Sequence, residues 1–460
     1  MFEFDESSLN SLVQRFEEML ANHATLFFDV DDLESLADHY FENGFFKKAM
    51  KAIDLGSHQH PSSASFPIKR AQYFLATNKL DKAKAELEKA ESLDPKNFDL
   101  LVARGTFFSK EGKHRQAINT FKESLESHQD PIEIFPLIAY EHQQLGEYKE
   151  AIKWLKQTLE TFPDDELALY NLSLCYDFLE ANEKAIVYFK KYLDTNPYSE
   201  TAWYQLGLIY NKLDKPKQAL DAFDYALVID EYFTAAYFEK AKLQEKTGDY
   251  EQAAETYLRS FEFDEPSGYS YYRLGNCYRQ LGEMTKAQKF FRLAISEDPE
   301  LDEAYLELSL INLAHGKIFE SIHNIRKAIS LDEGNTDYLV VAADVYKQVG
   351  LYLEATQCFE KILDQGYKEP ELYIDYAELL LDMDEVEQAL DLLKQAVSHH
   401  GDSEELLCVY AGYLLAIGKD EEAMDQLGAA KAQNPNIKDI FLEYFPHYTE
   451  ESSIVSFFSE

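Results

Sequence analysis

The sequence predicts an all-α fold, a solenoid of antiparallel helix pairs with short helical caps. Three periodic features predict it. First, steps of 34 residues reach Ala49, Ala83, Ala117, Ala151, Ala185, Ala219, Ala253, Ala287, Ser321, Ala355, Ala389 and Ala423. Second, twelve residues before each lies another small residue: Ala37, Ala71, Gly105, Ala139, Ser173, Gly207, Ala241, Gly275, Ser309, Ala343, Ala377 and Ala411. Third, a turn residue separates the two slots. It is Gly at 44, 112, 146, 248, 282, 316, 350 and 418, and Asn78, Glu180, Asp214 or Asp384 elsewhere. A large apolar residue follows each member of the Ala49 series by four, from Ile53, Leu87 and Phe121 through to Leu427. These spacings describe two helices of roughly a dozen residues joined by a tight turn. Small residues let the helices approach, and the large ones fill the space around the contact. One hairpin cannot bury its apolar stripe alone, so stacked copies share a core.

The elements follow in order. Residues 6–26 read as one amphipathic helix with Leu9, Leu12, Val13, Phe16, Met19 and Leu20 on one face. Residues 1–29 form an N-terminal cap, and residues 30–437 hold twelve units of 34 without an insertion. Residues 438–460 form a C-terminal cap and tail. There Ile440, Phe441, Tyr444 and Phe445 cover the last unit, and the acidic segment 449–460 carries Ile454, Val455, Phe457 and Phe458.

The repeated residues resemble the tetratricopeptide repeat, whose pattern is W-x2-L-G-x2-Y, then A-x3-F, then P. The sixth unit supplies Trp203, Leu206, Gly207, Tyr210, Ala219 and Phe223. The eighth supplies Tyr271, Leu274, Gly275, Tyr278, Ala287, Phe291 and Pro299. The closing proline recurs as Pro61, Pro95, Pro163, Pro197 and Pro435. The resemblance implies a right-handed superhelix with a groove lined by the first helix of each pair. Two departures stand out. Pro67 and Arg70 replace large apolar residues in unit two, and units six, seven, nine, ten and eleven lack the closing proline in register. Those junctions are expected to bend differently.

Composition narrows the function. The chain has 460 residues, 84 acids and 44 bases, for a net charge of −40. That charge argues against nucleic acid or an anionic membrane surface as the main partner. Apolar residues make up 46%, enough for a large core, and no run is long enough to span a bilayer. The segment Met1-Phe2-Glu3-Phe4-Asp5-Glu6 lacks the basic start of a secretion signal. Cys175, Cys277, Cys358 and Cys408 lie far apart, so a reducing compartment, the cytoplasm, is expected.

No H-E-x-x-H, G-x-S-x-G, P-loop or G-x-G-x-x-G motif is present. Asp29-Val30-Asp31-Asp32 lacks the glycine and closing glutamate of a calcium loop. His58, His60, His399 and His400 sit at unit ends with no further ligand at metal-binding spacing. Once the array is subtracted, no stretch is left for a catalytic domain. The expectation is therefore a protein that is not an enzyme and takes no metal or cofactor.

Binding in the groove is the expected function. One groove register reads Tyr170, Tyr204, Phe238 and Tyr272. The next reads Asn171, Gln205, Glu239 and Arg273, and one turn further come Leu174, Leu208, Lys242 and Asn276. Tyr269, Lys246 and Arg279 belong to the same surface. Aromatic bodies with amide and basic heads suit a peptide bearing acidic or C-terminal carboxylate groups. Packing of the rings between neighbouring first helices is the competing reading. On unit eleven, Glu371, Asp375, Glu378 and Asp382 share one helical face and suit a basic segment, or else form a solvated acidic face. Charge is uneven along the array. Units two, three and eight carry +2, 0 and +1, whereas eleven and twelve together carry −12. The expected function is a protein–protein interaction scaffold or adaptor that takes a peptide or partner subunit. The alternative is a structural, self-assembling module whose tail residues Phe457 and Phe458 dock on a neighbouring molecule.

Overall fold

A computed structural model describes residues 6–22, 25–127, 133–367 and 369–459, and among these there is no strand. The first five residues, 23–24 and 460 of the expected caps lie outside the described residues. The chain divides into two units, residues 1–243 and 244–460.

In unit 1, α1 (Glu6–Ala21) precedes the hairpins α2 (Val30–Glu42)/α3 (Phe46–Gln59), α4 (Ser65–Ala76)/α5 (Leu80–Leu93) and α6 (Phe98–Lys110)/α7 (His114–Ser127). Then come α8 (Ile134–Gln144)/α9 (Tyr148–Thr161), α10 (Glu166–Phe178)/α11 (Asn182–Thr195) and α12 (Glu200–Lys212)/α13 (Pro216–Ile229). The boundary falls within α14 (Thr234–Lys246), which pairs in sequence with α15 (Tyr250–Ser260). Unit 2 continues with α16 (Gly268–Gln280)/α17 (Met284–Glu297), α18 (Asp302–Ala314)/α19 (Ile318–Leu331) and α20 (Thr336–Gln348)/α21 (Tyr352–Asp364). It ends with α22 (Pro370–Asp382)/α23 (Val386–His399), α24 (Glu404–Ala416)/α25 (Asp420–Gln433), α26 (Ile437–Tyr444), a short 3-10 helix (Pro446–Glu450) and α27 (Ser452–Ser459).

The periodic residues do what their spacing requires. The second-helix slot, Ala49 to Ala423 with Ser321, is fully buried at every position. All twelve turn residues have positive φ, including Asn78 (55°), Glu180 (51°), Asp214 (52°) and Asp384 (64°). That conformation reverses the chain between helices, and a side chain there costs roughly 1 kcal/mol or more. Where the first slot is glycine, the facing large residue is phenylalanine. A Cβ on Gly105, Gly207 or Gly275 would lie 2.3, 2.5 or 2.7 Å from Phe121, Phe223 or Phe291. First helices gain a further start signal. Asn97, Asp165, Ser199, Ser267, Asn335 and Ser403 each accept a hydrogen bond from the amide three residues on. Such a cap contributes about 1 kcal/mol.

Two sequence expectations are revised, the extent of the first helix and the seal of the last hairpin. The first helix ends at Ala21 rather than at 26. The chain after it is held extended, because Gln59 Nε2 donates to Leu26 O at 2.7 Å and the Phe28 amide donates to Gln59 Oε1 at 3.1 Å. Phe28 thereby inserts against Phe16, centroids 5.8 Å apart. At the junctions without proline, α13, α19 and α23 end in the common register, so packing of the next hairpin sets the end. Only α15 ends well short of it, and α21 ends one residue early before Gly366 at φ 85°.

Tyr444 is 39% exposed and does not seal the last hairpin; Phe441 and Phe445 do, with the Phe445 ring seated against Gly412. The aromatic tail packs on its own chain. Ile454 is buried, Phe458 lies 5.9 Å from Phe441, and Lys431 Nζ donates to Phe457 O at 2.8 Å. All eight residues in α27 being uncharged and apolar or small, the segment lowers its exposed area by folding back on its own core.

Candidate functional site

Each first helix presents its signature residues to its partner and turns the intervening residues outward, since positions three and four apart share a face. In α10 the outward residues are Tyr170, Asn171 and Leu174; in α12 they are Tyr204, Gln205 and Leu208. These two helices enclose a cleft of about 190 Å3 lined by Tyr170, Ser173, Leu174, Asp177, Asn182, Gln205, Leu208, Ile209 and Lys212. An ion pair between Lys212 and Asp177 closes one end. Tyr170 is 52% exposed and makes no ring contact among the described residues. Gln205 is only 4% exposed, lines the cleft, and has no side-chain hydrogen bond among the described residues. Its carboxamide atoms keep access to solvent, and an incoming donor or acceptor can pair with them in place of water.

Asn171 is less available. Gln143 Nε2 on α8 donates to Asn171 Oδ1 at 3.4 Å and approaches Cys175 Sγ at 3.2 Å. The Tyr204 ring packs within its own unit, 5.0 Å from Phe233 and 6.0 Å from Phe223. Burial, then Glu239, raises its hydroxyl to about 12. Phe238 carries Lys242 Nζ 5.7 Å above its ring, and the same ammonium pairs with Glu239 at 3.0 Å. The four-ring register is therefore not one continuous stack within unit 1: Tyr170 stands open and Tyr204 is packed.

In unit 2, Tyr272 lies 6.0 Å from Tyr269 and 5.9 Å from Phe291. Arg273 Nε donates to Glu245 Oε1 at 3.0 Å, and Nη1 reaches the Tyr269 hydroxyl at 3.4 Å. The same Glu245 oxygen accepts the Tyr257 hydroxyl at 2.6 Å. Arg279 pairs with Glu307 at 3.1 Å, and burial raises the Glu307 carboxyl while Arg279 opposes the shift. Asn276 Oδ1 is buried without a partner. The expected basic window of unit eight is thus an ion-paired surface. Arg273 and Arg279 each meet a carboxylate from a neighbouring first helix, and in unit 1 Lys242 meets Glu239 one turn before it.

Glu371, Asp375, Glu378 and Asp382 all lie on α22. Glu378 accepts from Lys347 on α20 at 2.9 Å. Desolvation raises the Asp375 carboxyl, Glu378 adds to it, Lys347 opposes it, and Asp344 and Glu371 add further. The acidic field extends across helices. It raises the Tyr413 hydroxyl on α24 through Glu378 and Asp382, after burial, and reaches Tyr444 on α26 with Glu405 and Glu443. Asp344, Glu405 and Glu443 join this surface from neighbouring helices, at registers that differ from those of α22.

Among the described residues no group of three or more His, Cys, Asp or Glu is placed to hold a metal ion, and no helix is long and apolar enough to cross a membrane. His60 bonds to Phe28 O and His399 to Gln395 O, both at 2.8 Å. All four cysteines are buried free thiols, and burial pushes Cys358 up to about 11 and Cys277 and Cys408 to about 12. They are core filler.

Comparison with known proteins adds the following. One tetratricopeptide repeat model matches residues 268–301, a second matches 68–97 and 234–266, and a third matches 338–436. A model of subunit 3 of the anaphase-promoting complex, or cyclosome, matches residues 144–226. No curated protein gives a significant match. Among solved structures, MamA is similar at 23% identity over 35% of this chain and 95% of that one, with a TM-score of 0.34. YrrB, described as a TPR protein with an unusual peptide-binding site, is 18% identical over 38% of this chain and 91% of that one, with a TM-score of 0.35. The C-terminal part of a TPR repeat-containing protein from Cytophaga hutchinsonii is 14% identical over 52% of this chain and 97% of that one, with a TM-score of 0.46. The family matches fall on the same 34-residue register that the small slots, positive-φ turns and hairpins follow, and the chain is a tetratricopeptide repeat protein of about twelve repeats.

Proposed function

We propose that this protein is a non-catalytic interaction scaffold that binds a peptide segment or partner subunit along its first helices. The observation that carries the proposal is the cleft between α10 and α12. It pairs an exposed aromatic face, Tyr170, with the carboxamide of Gln205, which has no protein hydrogen-bond partner among the described residues. A glutamine amide has one acceptor and two donors, which is the complement of a peptide bond. An aromatic wall beside it gives apolar contact at low entropic cost. The family match supports an interaction role in general; the cleft supplies the local chemistry. Residues 144–226, which match a model of a subunit of a multiprotein complex, contain this cleft and are consistent with a subunit as the partner. The acidic face of α22 belongs to the proposal as a surface for a basic segment. Four free thiols fit a reducing compartment such as the cytoplasm.

Selection of a random peptide library on the immobilised full chain tests the proposal. Enriched peptides are expected to lose binding to a Tyr170→Ala, Gln205→Ala variant. Enriched peptides that bind the variant and the parent equally would place the site elsewhere and overturn the reading.

A further inference from the structure

On the other side of α12 from Gln205 lies a second cleft, about 430 Å3 in volume, formed with α11 and α13. Its wall is a stacked pair, Trp203 and Tyr225, with centroids 4.5 Å apart. Its floor is Leu193, Leu206 and Ala222, and its rim carries Lys190, Asp194 and Asp221. Neither aspartate has an ion-pair or hydrogen-bond partner among the described residues. The Lys190 ammonium is held 5.8 Å over the Tyr210 ring.

Two other clefts among the described residues lie at the same register and show what such a cleft holds. In the one lined by Arg70, Glu86 and Lys89, the Arg70 guanidinium donates to Asp54 at 2.7 Å and to Glu86 at 3.4 Å. Lys89 adds a second cation, 2.7 Å from Glu86. In the one lined by Arg326, Glu354 and Lys361, Arg326 Nε donates to the Tyr346 hydroxyl at 3.2 Å and its guanidinium lies 3.7 Å from Glu354. Each of these clefts carries two cations. The cleft beside Trp203 carries one cation against two carboxylates. At the register of Lys89 and Lys361 it has Tyr225, and at the register of Pro67 and Leu339 it has Trp203.

We infer that this outer cleft takes an arginine side chain presented by a partner protein. A guanidinium supplies the missing positive charge. Its plane stacks on an indole face, and its fork of N–H donors serves two carboxylates. A lysine ammonium matches the charge but not the plane. The surface lies apart from the Gln205 cleft, so the inference does not depend on the function proposed above.

The test uses the full chain and the tripeptide acetyl-Ala-Arg-Ala-amide. The indole N–H signal of Trp203 is followed by NMR and assigned with Trp154→Phe, because the chain has only two tryptophans. The expected result is a saturable shift of the Trp203 signal at millimolar peptide. The citrulline tripeptide, equal in shape and uncharged, is expected to bind at least about tenfold more weakly. An Asp194→Asn, Asp221→Asn variant, altered only at exposed positions, is expected to weaken the arginine peptide by a similar factor. No saturable change at Trp203, or equal binding of arginine and citrulline peptides, overturns the inference. Equal binding of the lysine tripeptide overturns the assignment to a guanidinium.

Discussion

Ser309 and Ser321 exchange hydrogen bonds across α18 and α19. Each hydroxyl donates to the other residue's carbonyl at 2.9 Å, and both side chains are fully buried. They fill the two small slots of one repeat, and Ser321 is the single departure from alanine in the second slot. A buried hydroxyl is tolerated there because the facing residue is also serine. Ser321→Ala is expected to cost about 1 kcal/mol by removing one of the reciprocal bonds. The double change to alanine restores the pair used elsewhere and is expected to be nearly neutral. Amide exchange of α18 and α19 measures the coupling, and strictly additive losses would contradict it.

Gly207→Ala tests the packing of the slots. The new methyl would meet Phe223 ring carbons at 2.5, 2.7 and 3.1 Å. The overpacking is expected to cost about 1–3 kcal/mol, against a gain of about 1 kcal/mol in helix propensity. Adding Phe223→Leu should recover part of the loss, because Ala71 faces the register of Leu87 and Ala139 that of Leu155. Denaturation of the two variants, compared with the parent, reads this directly.

Glu180 has a φ of 51° at a position where eight repeats use glycine. Replacing it with glycine relieves the left-handed strain and is expected to stabilise the α10–α11 hairpin by roughly 0.5–1 kcal/mol. Slower amide exchange at the ends of these two helices is the check.

Asp375 gives a pH signature. Its carboxyl is raised above 3.8 by desolvation first, then by Glu378, Asp344 and Glu371, with Lys347 opposing. The folded chain therefore keeps this proton at pH values where the unfolded chain has released it. Stability conferred by that proton is lost as pH rises through the window above 3.8, and the deficit is complete at neutral pH. Asp375→Asn is expected to raise the melting temperature at pH 7 and to flatten its pH dependence in the acidic range. An unchanged pH profile would contradict it.

The hairpins, turns and small slots were legible because each recurs in phase, so one misread position could not shift the register. Residues that depart from the register were legible only as departures. Arg70 stands where a large apolar residue is usual, and only the fold shows that Asp54 and Glu86 receive it. The caps at Asn97 through Ser403 share one register and were readable in principle, but serine, asparagine and aspartate there were overshadowed by the stronger alanine signal. The groove register placed Tyr170 and Gln205 on neighbouring first helices. It did not disclose that Arg273 and Arg279 are paired, because Glu245 and Glu307 lie on neighbouring first helices at registers other than their partners'; the Lys242–Glu239 pair, one turn apart on α14, was readable. Nor does a tail rich in aromatics reveal from sequence whether it folds onto its own chain, as Phe458 does on Phe441.

The most direct measurement is calorimetric titration of one library-selected peptide into the parent chain, Gln205→Ala, Tyr170→Ala and, as a control on the outer face, Asp194→Asn. The expected result is at least a roughly tenfold loss of affinity for each of the first two variants and no change for Asp194→Asn. Unchanged affinity in Gln205→Ala and Tyr170→Ala, with folding intact by circular dichroism, would contradict binding between α10 and α12.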